Sequence, residues 1–173
     1  KSYQTYVTLH DLIPLINKDI YLKNKNFEKY YIEKLENFKK ADFLLSVSNS
    51  SKHEAVDYID FNPEKICTVY NAVDETFSPA NLSTDKKDAL FAKYGITKKM
   101  VMYAPGGFDI RKNFENLIIA YSKLPNEIRD THQLVIVSKV QEGDRQNLEN
   151  IAKKTGLEKD ELIITGYVSD EEL

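Results

Sequence analysis

Short apolar runs alternate along the chain with segments of helical periodicity, and this alternation limits the fold more than any other feature. The predicted strands are residues 3–9, 42–48, 65–70, 99–104, 133–138 and 161–165. Several are apolar at consecutive positions, as strands buried on both faces are. Strands that alternate with helices favour parallel sheets covered by helices. The sequence therefore predicts an α/β protein with mostly parallel sheets and flanking helices.

Helices are indicated by apolar residues that recur at every third or fourth position. One such stripe runs through residues 27–38, and two more lie in 114–124 and 148–152. Ser51 and Glu54 have the spacing of a capping box, which predicts that a helix begins at Ser51.

A stretch without a predicted strand separates two βαβαβ patterns. Residues 74–98 contain Pro79, polar turn residues and one short helix that ends at Gly95. We interpret residues 1–73 and 99–173 as parts of two Rossmann-like domains joined by this linker. Each part has about three strands, whereas a doubly wound sheet usually has about five or six, so we expect both domains to be incomplete.

Composition argues against several classes of protein. A net charge of -3 gives no electrostatic reason to expect a nucleic-acid partner. Cys67 is the only cysteine and the chain has three histidines, so we expect neither a disulfide nor a metal site. The lack of disulfides favours a reducing compartment, and we expect a cytoplasmic location. No apolar run approaches the roughly 18 residues of a membrane-spanning helix. Peripheral association with the inner face of a membrane stays open, although no basic amphipathic helix supports it.

Residues 106–113, with the sequence GGFDIRKN, combine two glycines with two cations. Gly106 and Gly107 allow the backbone to turn sharply and to approach a ligand closely. Arg111 and Lys112 are predicted at the start of the next helix, where cations oppose the helix dipole and a bound phosphate would offset that cost. The alternative is a solvated turn with two surface cations. The spacing matches neither a Walker A loop nor a dinucleotide fingerprint.

Two further residues follow predicted strands, and ligands of open α/β sheets bind beyond the carboxyl ends of strands. His10 ends the first strand and Lys139 follows the fifth. His10 and Asp11 cannot form a catalytic dyad by spacing alone, because adjacent side chains of a strand point to opposite faces. A structural histidine and an ordinary surface lysine are the alternatives for these two positions.

Several segments together, in their order and spacing, resemble the retaining GT-B glycosyltransferases of the large group 1 family, which includes mannosyl- and glucosyltransferases of bacterial polysaccharide assembly. The matching segments are TLHDLIPL, ADFLLSVSNSSKHE, EKICTVYNAVDETFSP, GGFDIRKNFENLIIAY, LVIVSK and ITGYVSDEEL. The resemblance implies a GT-B fold, with residues 1–73 in the N-terminal acceptor domain and residues 99–173 in the C-terminal donor domain.

The same resemblance implies a reaction and a set of site residues. A hexosyl group would pass, with retention and without a metal or other cofactor, from a nucleotide-sugar to a polysaccharide or lipid-linked acceptor. GDP-mannose is the favoured donor and a UDP-sugar the alternative. Lys112, assisted by Arg111, would bind the donor diphosphate and stabilise charge on the leaving nucleotide, and His10 would orient the transferred sugar through a hydrogen bond. The donor site would also contain Gly106, Gly107, Lys139, Gly166, Tyr167 and Val168.

Some family features are absent from the sequence. The family's N-terminal glycine-rich loop and its pair of glutamates are not found. We therefore expect this chain alone to be inactive, even where the parent enzyme is a transferase. Gly106 and Gly107 stand where many relatives have an arginine, and Ser138 stands where relatives often have a glycine. The alternative function is a non-catalytic α/β binding or interaction module with Arg111 and Lys112 exposed.

Overall fold

A computed structural model describes residues 3–75, 77–79 and 82–173 of the chain. The chain divides into two compact units, Lys1–Phe77 and Ser78–Leu173. Each unit contains one parallel sheet of three strands with helices beside it. The predicted α/β class with parallel sheets is therefore confirmed.

The first unit is a sheet in the order β1-β2-β3 with helices between the strands. Its elements are β1 (Tyr6–Leu9), α1 (Ile13–Ile16), α2 (Lys18–Tyr21), α3 (Lys25–Phe38), β2 (Phe43–Ser46), α4 (Asn49–Ile59) and β3 (Ile66–Thr68). Leu44 of β2 is fully buried in one cluster with Leu35 of α3 and Ile59 of α4. Burial of the apolar stripes of both helices on the sheet holds the unit together.

Helix α4 begins earlier than the sequence predicts. The Ser48 hydroxyl accepts a hydrogen bond from the Ser51 N–H at 3.0 Å, so Ser48 is the N-cap and the capping box predicted at Ser51 is wrong. Ser51 is instead buried, and its hydroxyl donates to the His10 carbonyl at 2.7 Å. The Glu54 carboxylate accepts from the Leu12 N–H at 3.2 Å. The two residues of the predicted box therefore fasten the loop after β1 to α4.

The second unit has the sheet order β4-β5-β6. Its elements are α5 (Thr84–Tyr94), β4 (Lys99–Tyr103), α6 (Phe114–Ser122), α7 (Asn126–Arg129), β5 (His132–Ile136), α8 (Glu142–Lys154) and β6 (Leu162–Ile164). Its core joins Ile118 of α6, Leu134 and Ile136 of β5 and Leu148 of α8, each at most 1% exposed.

Helix α5 occupies the stretch predicted as a linker and ends, as expected, at Gly95, which has the left-handed conformation favoured by glycine (φ 71°). The Lys93 ammonium and the Tyr94 hydroxyl both bond the Glu172 carboxylate, at 2.6 and 2.9 Å. Helix α5 is thus tied to the second unit. Positions 76, 80 and 81 of the predicted linker lie outside the described residues.

A partly buried ion pair joins two segments of the second unit. The Arg129 guanidinium donates two hydrogen bonds to the Glu161 carboxylate, both at 2.8 Å, and a third to the Gly156 carbonyl at 3.1 Å. The Glu158 N–H donates to the same carboxylate at 2.7 Å. The pKa of the Glu161 carboxyl lies below its ordinary value, mainly because Arg129 donates hydrogen bonds to the carboxylate.

Candidate functional site

A cleft of about 350 Å³ lies where β4, β5 and β6 end. Its lining consists of Ala104, Gly106, Gly107, Val137, Ser138, Lys139, Gly166, Tyr167, Val168, Asp170 and Leu173. These residues come from the loops that follow three neighbouring parallel strands, so the cleft lies at the carboxyl edge of the sheet. Open α/β sheets bind their ligands at this edge.

The structure brings six of the predicted donor-site residues together around this cleft. They are Gly106, Gly107, Lys139, Gly166, Tyr167 and Val168. Arg111 and Lys112 lie on the loop between β4 and α6 but are not part of the lining, and His10 belongs to the first unit. Tyr167 is 75% exposed, so its aromatic ring is accessible at the rim of the cleft.

Two glycines give the cleft its backbone shape. Gly106 has φ 82° and Gly166 has φ 80°, in the left-handed region that side chains disfavour. A Cβ atom built at either position meets nothing within 4 Å. Glycine is therefore required there by backbone conformation and not by lack of space, and the open space in front of both residues leaves room for a ligand to approach the main chain.

Ser138 connects two walls of the cleft. Its side chain is buried, and its hydroxyl donates to the Gly106 carbonyl at 2.9 Å. The loop after β4 is thereby anchored to the end of β5. Sequence reasoning considered Ser138 only as a departure from glycine and missed this role. A small hydroxyl residue at the carboxyl end of a buried strand was the available signal.

Replacing Ser138 with alanine should loosen the glycine loop, because the substitution removes the hydrogen bond to Gly106. We expect the free energy of unfolding to fall by about 1–2 kcal/mol and amide hydrogen exchange at Gly106 and Gly107 to accelerate. Ser122→Ala is the matched control, because the Ser122 hydroxyl bonds the Ile119 carbonyl within its own helix. Unchanged exchange at the two glycines in Ser138→Ala would contradict this role.

The loop between β4 and α6 is held by aromatic contacts. The Tyr103 hydroxyl donates to the Lys112 carbonyl at 2.7 Å. The Phe114 ring stacks on Phe108, with 4.7 Å between centroids, and meets the Tyr103 ring edge-on at 5.6 Å. The backbone of Lys112 is therefore fixed independently of its ammonium group.

Arg111 and Lys112 do not begin helix α6 as the sequence predicts. They lie in a separate 3-10 turn, Ile110–Lys112, and α6 starts at Phe114 after the left-handed Asn113 (φ 54°). The prediction is wrong because Asp109 caps this short turn by accepting the Arg111 N–H at 2.9 Å. The helix-dipole argument for a bound anion therefore loses its basis.

The two cations of the turn differ in their partners. The Arg111 Nε donates to the Asp109 carboxylate at 3.0 Å, so its charge is partly offset. Within the described part of the chain, the half-buried Lys112 has no hydrogen bond or ion pair from its ammonium group. Lys112 is thus the cation of this turn that remains available to an anionic ligand.

His10 follows β1 and is exposed. Its carbonyl is held by Ser51, as described above, while the neighbouring Asp11 carboxylate accepts from the Ile13 N–H at 3.0 Å. The backbone from His10 to Ile13 is therefore fixed.

The described residues contain neither a cluster of metal ligands nor a membrane-spanning helix. No three His, Cys, Asp or Glu side chains in this part of the chain lie together in a way that could hold a metal ion. No helix there is long and apolar enough to cross a bilayer.

Parallel sheets in two units, with a glycine-shaped cleft at the carboxyl edge of one sheet, define a Rossmann-like α/β protein. No family model matches the chain. It is 33% identical over 171 residues to the serotype-specific mannosyltransferase WbdA of Escherichia coli, across 99% of this chain and 21% of that protein. The chain thus spans about a fifth of the length of the curated relatives it matches.

Solved structures show the same fold. A glycosyltransferase from Rickettsia africae ESF-5 has a TM-score of 0.65 at 21% identity, covering 86% of this chain and 38% of that one. Anabaena Alr3699/HepE in complex with UDP and glucose has a TM-score of 0.54 at 17% identity, covering 75% and 34%. The resemblance to glycosyltransferases drawn from the sequence is confirmed, because nearly the whole chain is similar to a segment of a mannosyltransferase.

Proposed function

We propose that this chain is the central segment of a retaining GT-B glycosyltransferase that transfers a hexosyl group from a nucleotide-sugar to a glycan or lipid-linked acceptor. The observation that carries the proposal is the cleft at the carboxyl ends of β4, β5 and β6, in a chain related to a mannosyltransferase. Residues 1–73 would belong to the acceptor domain, 74–98 to the linker and 99–173 to the donor domain. The enzyme would act in the bacterial cytoplasm in polysaccharide assembly.

The cleft suits the nucleotide part of the donor. Its volume of about 350 Å³ lies at the small end of ligand pockets, which are roughly 300–1,000 Å³. The accessible ring of Tyr167 offers a surface on which a base can stack, and Gly106 and Gly166 leave the main chain open to a phosphate or ribose. Lys139 adds a positive charge at the same rim.

Lys112 and His10 would perform the chemistry. The available ammonium group of Lys112 would stabilise the negative charge that develops on the leaving nucleoside diphosphate, so that the reaction needs no metal ion. The fixed loop of the first unit would present His10 to the transferred sugar as a hydrogen-bonding partner. Neither residue needs to form a covalent bond to the sugar.

GDP-mannose is the donor that we favour, because the relative that matches 99% of the chain is named for mannosyl transfer. A UDP-sugar is the alternative, since the Anabaena structure contains UDP and glucose.

Titration of the chain with GDP, UDP, GDP-mannose and UDP-glucose tests the proposal, with ADP as the control for base selectivity. We expect one base to shift the amide signals of Gly106, Gly107, Gly166 and Tyr167 in a saturable way, which also identifies the donor. If no nucleotide moves these signals, the donor site is refuted and the interaction-module alternative takes its place.

A further inference from the structure

The first unit contains a chain of polar side chains that the donor cleft does not involve. Ser46, which is completely buried, lies 3.3 Å from the Thr68 hydroxyl. The Thr68 hydroxyl donates to the Asn49 side-chain oxygen at 2.9 Å. The Asn49 side-chain nitrogen donates to the Tyr70 hydroxyl oxygen at 3.1 Å. We call this set, Ser46, Thr68, Asn49 and Tyr70, the Tyr70 network.

From Thr68 onward, the hydrogen bonds of the Tyr70 network run in one direction. An amide oxygen can only accept and an amide nitrogen can only donate, so Thr68 uses its single hydroxyl proton on Asn49. Tyr70 accepts from Asn49 and keeps its own proton. No acceptor for that proton is found within the part of the chain that the structure describes. Tyr70 is 67% exposed, so the proton is available to water or to a ligand.

The Tyr70 network lies at the edge of the first sheet where ligands of such sheets bind. Leu9, Ser46 and Thr68 are partners in register across the three strands, so the residues that follow them emerge at the same carboxyl edge. His10 follows β1, and its carbonyl is bonded to α4, the helix on which Asn49 is the first residue. Each strand of this sheet is thus followed by an exposed polar or aromatic side chain.

We infer that Tyr70, oriented by Asn49, binds the carbohydrate part of the acceptor by donating a hydrogen bond to a sugar hydroxyl. The inference rests on the proposed function, since a transferase needs a second substrate that carries a hydroxyl group. No member of the Tyr70 network is charged, which suits a neutral sugar better than a phosphate. A tyrosine ring also offers an apolar face and a polar tip, the pairing that a sugar ring requires.

The probe for this inference is an α-linked mannotriose, chosen because the relatives are named mannosyltransferases. It is titrated into the whole 173-residue chain without nucleotide, and the amide signals of Asn49 and Tyr70 are followed by NMR. We expect Tyr70→Phe, which removes only the hydroxyl, to raise Kd about three- to tenfold. Asn49→Ala should raise it less, because the Tyr70 hydroxyl then keeps its proton but loses its orientation.

Tyr58→Phe is the matched control, since Tyr58 is a 52% exposed tyrosine of the same unit outside the Tyr70 network. It should leave the mannotriose affinity unchanged. The denaturation midpoints of the two phenylalanine variants should equal that of the wild type, which separates lost binding from lost folding. Equal affinity of wild type and Tyr70→Phe overturns the inference, and so does a wild type that shows no binding.

The outcome is distinguishable from that of the nucleotide titration. If nucleotide binds the cleft while Tyr70→Phe binds mannotriose as the wild type does, only the acceptor inference fails. If no nucleotide binds while Tyr70→Phe weakens mannotriose binding, the proposed donor site fails and Tyr70 remains a carbohydrate-binding residue.

Discussion

Under the proposed function, Lys112→Ala should lower kcat for hexosyl transfer by about 10²–10³, the usual effect of removing one preorganised group that stabilises charge in a transition state. The ammonium group has no partner within the described part of the chain, so its charge is available to an anionic ligand such as the diphosphate of the proposed donor. Stability should hardly change, because the Lys112 residue is held through its carbonyl by Tyr103. Steady-state kinetics with GDP-mannose, in the longer protein proposed to contain this segment, measures the loss.

Arg111→Ala is the matched control for Lys112→Ala. It removes the adjacent cation of the same turn, but one whose guanidinium is already bonded to Asp109. We expect a smaller loss of kcat in this variant. Equal losses in the two variants would mean that the turn supplies only general positive charge, and the specific role of Lys112 would be refuted.

Glu161→Gln should destabilise the second unit by about 1–3 kcal/mol, because it leaves the partly buried Arg129 charge without its counter-ion. The Arg129 and Glu161 side chains are only 17% and 6% exposed, so water cannot replace the lost partner well. Chemical denaturation at neutral pH measures the effect. Asp160→Asn is the neighbouring control, since the Asp160 carboxylate is 59% exposed in its pair with Lys98 and should contribute less than about 1 kcal/mol.

The same pair predicts how stability depends on pH. Hydrogen bonds from Arg129 lower the pKa of Glu161 in the folded state, so the unfolded chain takes up this proton at higher pH than the folded chain. The contribution of Glu161 is therefore complete above the unfolded pKa of about 4.3 and is lost as pH falls through the lower, folded pKa. The acid dependence of stability should be shallower in Glu161→Gln. Identical pH profiles in the two proteins would contradict the assignment.

Local patterns were sufficient for most of the secondary structure. A buried parallel strand must be apolar at consecutive positions, which is why 133–138 was recognisable and overlaps β5 (His132–Ile136) at four of its five residues. A helix that ends in a left-handed residue favours glycine, which is why Gly95 marked the end of α5. The start of α4 was predicted too late, because both Ser48 and Ser51 can cap a helix and only packing decides which hydroxyl is needed elsewhere.

The sequence by itself determined the α/β class, the strands, and the glycines and loops around the cleft, because each depends on residues close together along the chain. Only the tertiary structure decided that Ser138 supports Gly106, that Arg129 pairs with Glu161, and that Asn49 orients Tyr70. These partners are 32, 32 and 21 residues apart. Their contacts depend on strand register and on which polar groups folding buries, and periodicity along the chain carries neither kind of information.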